Sequence, residues 1–117
     1  ANVTGAATGI GRATAVRLAQ AGAVVWVNHW QQAAAAAGVV ADIHTSGGHA
    51  RTVEADVSNA ASVQQMAATV GGVDILVNNA GIIQECPFLE TSEADWDRML
   101  AVDLKAVFLV CQALLPP

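Results

Sequence analysis

Thr4-Gly5-Ala6-Ala7-Thr8-Gly9-Ile10-Gly11 places three glycines at spacings of four and two, after a short apolar run and at the head of a helical pattern. That arrangement suits the binding of a phosphate by bare backbone. Gly5 permits a tight turn off a strand, because it tolerates positive φ. Gly9 lacks a Cβ, so a pyrophosphate can approach the main chain, and Gly11 lets the following helix pack close to the strand. The free N–H groups and the positive dipole end of that helix face the anion. Taken alone, the loop also fits an ordinary strand-to-helix turn.

Two further segments stand in order behind it: Asp56-Val57-Ser58, and Asp74-Ile75-Leu76-Val77-Asn78-Asn79-Ala80-Gly81. Together with the glycine loop, which has the form Thr-Gly-x-x-x-Gly-x-Gly, they make the chain resemble the short-chain dehydrogenase/reductase family over essentially its whole length. Its middle section is most similar to sugar dehydrogenases and 3-oxoacyl-carrier-protein reductases. The resemblance implies a nicotinamide dinucleotide held by Gly5, Thr8, Gly9, Ile10 and Gly11. Asp56 accepts a hydrogen bond from the adenine amino group, and Val57 flanks the base. Asn78, Asn79, Ala80 and Gly81 line the adenosine ribose and brace the sheet. For Asp56 a helix-cap role, and for Asn79 a purely structural turn role, are the competing readings.

The elements that must position these residues follow from pattern. Strand and helix signals alternate, which predicts a Rossmann-type doubly wound parallel sheet. The expected elements are a strand at 1–4, a helix at 10–21 and a strand at 23–28. An alanine-rich helix over 31–46, a strand at 49–55 and a helix over 59–70 capped by Ser58 come next. A strand at 73–78 leads through a loop over 79–90, containing Pro87, to one long helix from Thr91 or Ser92 to about Leu115. Gly22, Gly47-Gly48, Gly71-Gly72 and Pro116-Pro117 are the stops. Right-handed crossovers give the order 3-2-1-4. Strand four is then a bare apolar edge, and both ends look cut, so residues 1–117 are read as one partial domain, the cofactor-binding half of a longer chain.

Cofactor choice turns on the end of strand two, where NAD-specific sites carry an acid about 20 residues past the glycines. The matching position is His29, followed by Trp30, and no Asp or Glu precedes Asp42. Absence of a carboxylate permits a 2′-phosphate, so NADP is expected, with NAD as the alternative. Yet the family's usual cation is missing, with Thr8 and Trp30 in its places. His29 is a candidate phosphate partner or a plain polar strand end.

The resemblance also implies a catalytic set of Asn, Ser, Tyr and Lys. The chain contains no tyrosine, and its one lysine, Lys105, matches a family position without a catalytic role. The Asn position is occupied by Asp103. An ionised aspartate only accepts, where asparagine also donates, so Asp103 is a doubtful relay member or a buried helix residue. In a complete chain the activity implied is hydride transfer between nicotinamide and a carbonyl or secondary alcohol. These residues alone are expected to be inactive. A non-catalytic nucleotide-binding module, or an assembly protein that keeps the fold, is the alternative.

Composition narrows the partners. Of 117 residues, 54% are hydrophobic and 13% charged, with a net charge of −5, so the basic footprint of a nucleic-acid binder is absent. No apolar run reaches a membrane span and no signal peptide is visible. Cys86 and Cys111 are unmatched thiols without metal spacing, which makes a reduced, cytoplasmic setting the default. His29, His44 and His49 are scattered, and no metal site is expected. Trp96, Met99, Leu100, Phe108 and Leu109 stripe the long helix. They are read as core, and the resemblance implies that this helix (92–115) also pairs with its copy in a homo-oligomer.

Overall fold

The computed structural model describes residues 1–115. β1 (Asn2–Val3) leads through the glycine turn into α1 (Gly9–Gln20), then β2 (Val24–His29), α2 (Ala33–Thr45), β3 (His49–Glu54), α3 (Ala60–Val70) and β4 (Leu76–Val77). A short 3-10 turn at Phe88–Glu90 precedes α4 (Glu93–Leu100), a π-helical turn (Ala101–Lys105) and α5 (Ala106–Leu114). All strand pairs are parallel and the order is β3-β2-β1-β4, as the alternating pattern predicts. The Pro116-Pro117 stop lies outside the described residues.

Strand alternation sorts the core onto two faces. Val25 and Val27 of β2, with Val3, pack against Ala15 and Ala19 of α1 and Ala36, Val39 and Ile43 of α2. Trp26, which points the other way, joins Val53, Val63 and Met66 and the inner stripe Ala106, Val110 and Leu114 of α5. Alanine dominates the first face because its small side chain lets helix and sheet approach closely. Each fully buried Val or Ile there contributes about 1.5–3 kcal/mol. One row runs against this economy. Asn2 lies between Trp26 and Leu76 in register. It is fully buried, and neither its Oδ1 nor its Nδ2 has a hydrogen-bond partner.

Several boundaries differ from the sequence reading, each for a local reason. α2 starts at Ala33 and not at 31, because Gln31 sits at φ +55°, outside the helical region. The cap of α3 is Asn59, not Ser58: its Oδ1 accepts the Ser62 N–H at 2.9 Å, while the Ser58 hydroxyl donates to Asp56 at 2.6 Å. β4 is shorter than the expected 73–78, since it pairs with β1 alone, and β1 has only two ladder residues. The bare edge is therefore short. The long helix begins where expected, with Ser92 Oγ accepting the Asp95 N–H at 3.1 Å. It is not one uniform α-helix, however, because the π turn at 101–105 interrupts it.

Candidate functional site

The glycine turn is built by contacts that leave one place open. Gly5 has φ +60°, and a Cβ there would meet the Ala80 backbone at 2.9 Å. A Cβ on Gly11 would collide with the carbonyl oxygen of Gly5 and with Nδ2 of Asn79. Gly9, at φ +58°, meets nothing within 4 Å. The first and third glycines are thus required by packing, and the middle one faces empty space at the start of α1. The first turn of α1 carries no acid, and its N-cap residue Thr8 makes no side-chain cap bond. Its backbone donors and positive dipole end remain available to an anion.

β2 and β4 hold the turn from either side. The Gly5 N–H donates to Asn28 Oδ1 at 3.2 Å, and Asn28 Nδ2 reaches the carbonyls of Val53 and Ala55 at 3.3 Å each. Asn28 thereby links β1, β2 and β3 at the sheet edge where open α/β folds bind ligands. Asn79 Nδ2 donates to the carbonyls of Thr4 and Gly5, and the N–H groups of Asn79 and Ala80 both donate to Thr4 Oγ1.

A cavity of about 760 Å³ opens over this edge. Of the residues singled out in the sequence, Gly5, Thr8, Gly9, Ile10, Asp56, Val57, Asn79, Ala80 and Gly81 line it together. Gly11 does not, since it lies beneath the turn. His29 and Asp103 are also absent from the lining. His29 is only 4% exposed, with Nδ1 accepting the Gln32 N–H at 3.2 Å, and Glu54 Oε2 lies 3.7 Å from the same nitrogen. Asp103 sits in the π turn, exposed, and its Oδ1 accepts the Ile82 N–H at 2.7 Å. Asp56 Oδ1 is engaged by the N–H and hydroxyl of Ser58, which leaves Oδ2 as the acceptor free for a ligand.

Other lining residues were not read as cofactor contacts from the sequence: Asn28, Gln32, Arg98 and Val102, together with Trp30, read there only as standing in place of a cation, and Ser58, read as a helix cap. Asn28 had one signal, a polar residue ending the apolar run Val24–Val27. Arg98 and Val102 come from α4 and the π turn, and only the tertiary fold brings them to the site. Arg12, a nearby cation in sequence, is paired with Asp42 of α2. Among the described residues no group of His, Cys, Asp and Glu is placed to hold a metal, and no helix is long and apolar enough to cross a membrane.

Comparison with known proteins agrees with this geometry. The family of short chain dehydrogenases matches residues 1–117. The chain belongs to that family. It is 44% identical over 115 residues to a 3-oxoacyl-[acyl-carrier-protein] reductase of Synechocystis, covering 95% of this chain and 47% of that protein. A metagenomic short-chain oxidoreductase in complex with NADP superposes with a TM-score of 0.93 at 36% identity, over 99% of this chain and 54% of the other. A Burkholderia cenocepacia short chain dehydrogenase, also in complex with NADP, gives 0.90 at 39% identity, over 96% and 47%. The chain spans about half the length of the relatives it matches.

Proposed function

We propose that these residues form the cofactor-binding half of an oxidoreductase that moves hydride between a nicotinamide dinucleotide and a carbonyl or secondary alcohol. The observation that carries this reading is Gly9. It faces open space at an uncapped helix start, on the wall of a cavity that also presents a free Asp56 oxygen. In that cavity Gly5, Thr8, Gly9 and Ile10 hold the pyrophosphate, Asp56 and Val57 meet the base, and Asn79, Ala80 and Gly81 line the ribose. The bound nicotinamide supplies the hydride chemistry, and the protein supplies orientation and electrostatics. Titration calorimetry with ADP-ribose is the test: saturable binding is expected, and none would overturn the reading.

NADP is the cofactor we favour, with NAD as the alternative. β2 itself ends in His29 and not in an acid that would repel a 2′-phosphate, the neighbouring Glu54 belonging to β3, and the two relatives described above carry NADP. Against a strong preference stands Arg12, occupied by Asp42. Parallel titrations with NADP and NAD decide it.

The 117 residues alone are proposed to be inactive, since they contain no tyrosine and Lys105 is the one lysine. Asp103 marks the position of the family asparagine. With NADH or NADPH and a ketone panel, turnover of ~1 per second or more would overturn this. A cytoplasmic setting follows from the same reading, supported by Cys86 and Cys111 being free thiols.

The long helix supports a homo-oligomer. Trp96, Leu100, Leu104 and Phe108 are exposed along it, and the last three line an apolar groove with Asp97 and Lys105. A second copy covering this stripe buries it, and a contiguous exposed apolar stripe is the kind of surface that marks an interaction site. Light scattering on Leu104→Glu is the check: a shift to monomer is expected, and an unchanged mass would reject the helix as the interface.

A further inference from the structure

The turn from β2 into α2 carries features that a plain strand-to-helix connection does not need. Gln31 is the one non-glycine residue with positive φ among the described residues, at +55°. Such backbone is uncommon for a side chain of this kind and persists only where its surroundings impose it. Immediately before it, Trp30 is 48% exposed and lines the cavity shared with Asp56 and Val57. Immediately after it, the Gln32 N–H donates to Nδ1 of the buried His29.

These contacts form one device. His29 and Glu54 are register partners at the ends of β2 and β3, so the segments carrying Trp30 and Val57 leave adjacent strands from the same sheet edge. The Gln32 bond bends the chain back over His29 through the left-handed Gln31, and that bend leaves the Trp30 indole in the cavity wall. Nδ1 can accept that N–H only when it carries no proton.

We infer that Trp30 is the stacking platform for the adenine ring of the dinucleotide and that His29 is a positioning residue that holds the platform by accepting the Gln32 N–H. The inference rests on the dinucleotide reading above and adds two residues to it. An exposed indole on a concave wall matches a planar ring in shape and polarity. Stacking of a base on an aromatic side chain corresponds to roughly 5- to 150-fold in affinity. His29 thereby acts through the turn, not on a phosphate.

The experiment is calorimetric titration of the 117-residue chain with ADP and, separately, with inorganic pyrophosphate. Trp30→Ala is expected to weaken ADP at least 5-fold and leave pyrophosphate unchanged, with Trp30→Phe close to the parent. His29→Leu is expected to weaken ADP in the same selective way. His29→Asn, whose amide oxygen can accept the Gln32 N–H, is expected to restore most of the loss. ADP should quench tryptophan fluorescence in the parent and not in Trp30→Phe, a readout that mere loss of stability does not mimic. Unchanged ADP affinity in Trp30→Ala, or equal loss of both probes, overturns the platform. A His29→Asn no better than His29→Leu overturns the positioning role. A parent that binds neither ADP nor pyrophosphate overturns the dinucleotide reading itself, which separates the two failures.

Discussion

Asn79 and Thr4 are joined twice across 75 residues of chain: the Asn79 N–H donates to Thr4 Oγ1 at 3.0 Å, and Asn79 Nδ2 donates to the Thr4 carbonyl at 3.1 Å. The same amide reaches the Gly5 carbonyl, so one side chain from the end of β4 sets the start of the glycine turn. Asn79→Ala leaves half-buried carbonyls without that donor. A loss of about 1–3 kcal/mol is expected, read as a lower urea midpoint. An unchanged midpoint would mean that solvent replaces the amide at no cost.

Gly9 and Gly11 should respond differently to added bulk. At Gly9 a side chain meets no other atom, so Gly9→Val is expected to abolish pyrophosphate binding with the helical circular-dichroism signal kept, its stability cost being the backbone strain of valine at φ +58° alone. At Gly11 a Cβ strikes Gly5 and Asn79, so Gly11→Ala should lower the melting temperature itself. If both variants lose only binding, the packing role of Gly11 is wrong.

Asn2 offers a gain. It is buried with both amide atoms unpartnered, in a row of Trp26 and Leu76. Asn2→Leu removes the desolvation cost and adds apolar contact, so stabilisation of about 1–3 kcal/mol is expected. Chemical denaturation measures it, and a destabilised variant would show that Asn2 has a partner in solution.

Asp103 should behave as an acceptor. Its Oδ1 takes the Ile82 N–H at 2.7 Å, a bond that asparagine can also make. Asp103→Asn is expected to stay within about 0.5 kcal/mol of the parent, while Asp103→Leu should speed hydrogen exchange at the Ile82 amide. Equal exchange in Asp103→Leu would mean that the bond does not persist.

Much of this architecture was legible in the chain itself. Alternating apolar runs of strand and helix period, punctuated by Gly22, Gly47 and Gly71, give the element order and the 3-2-1-4 sheet, and the glycine spacing marks the binding edge. What escaped depends on neighbours distant in sequence. His29 reads as a phosphate partner or a plain polar strand end until Glu54 and the Gln31 turn enclose it. Ser58 and Asn59 are both good caps, and Ser58 is lost to that role because Asp56 engages it. Ala101-Val102-Asp103-Leu104-Lys105 has no helix breaker, so nothing local announces a π turn.

That π turn sets the helical phase of everything after it. An α-helix advances about 100° per residue, so the wide turn, holding one residue more than a regular one, is the offset between two angular frames. In the first, Asp103 reaches Ile82; in the second, Ala106, Val110 and Leu114 face the sheet. Tightening this turn to regular α geometry with every residue kept would swing α5 by about 100° and carry its buried stripe off the sheet, whereas removing one residue within 101–105 would take up that rotation. The irregularity is therefore a length allowance: the stretch holds one residue beyond what a regular helix needs to keep both faces where they are.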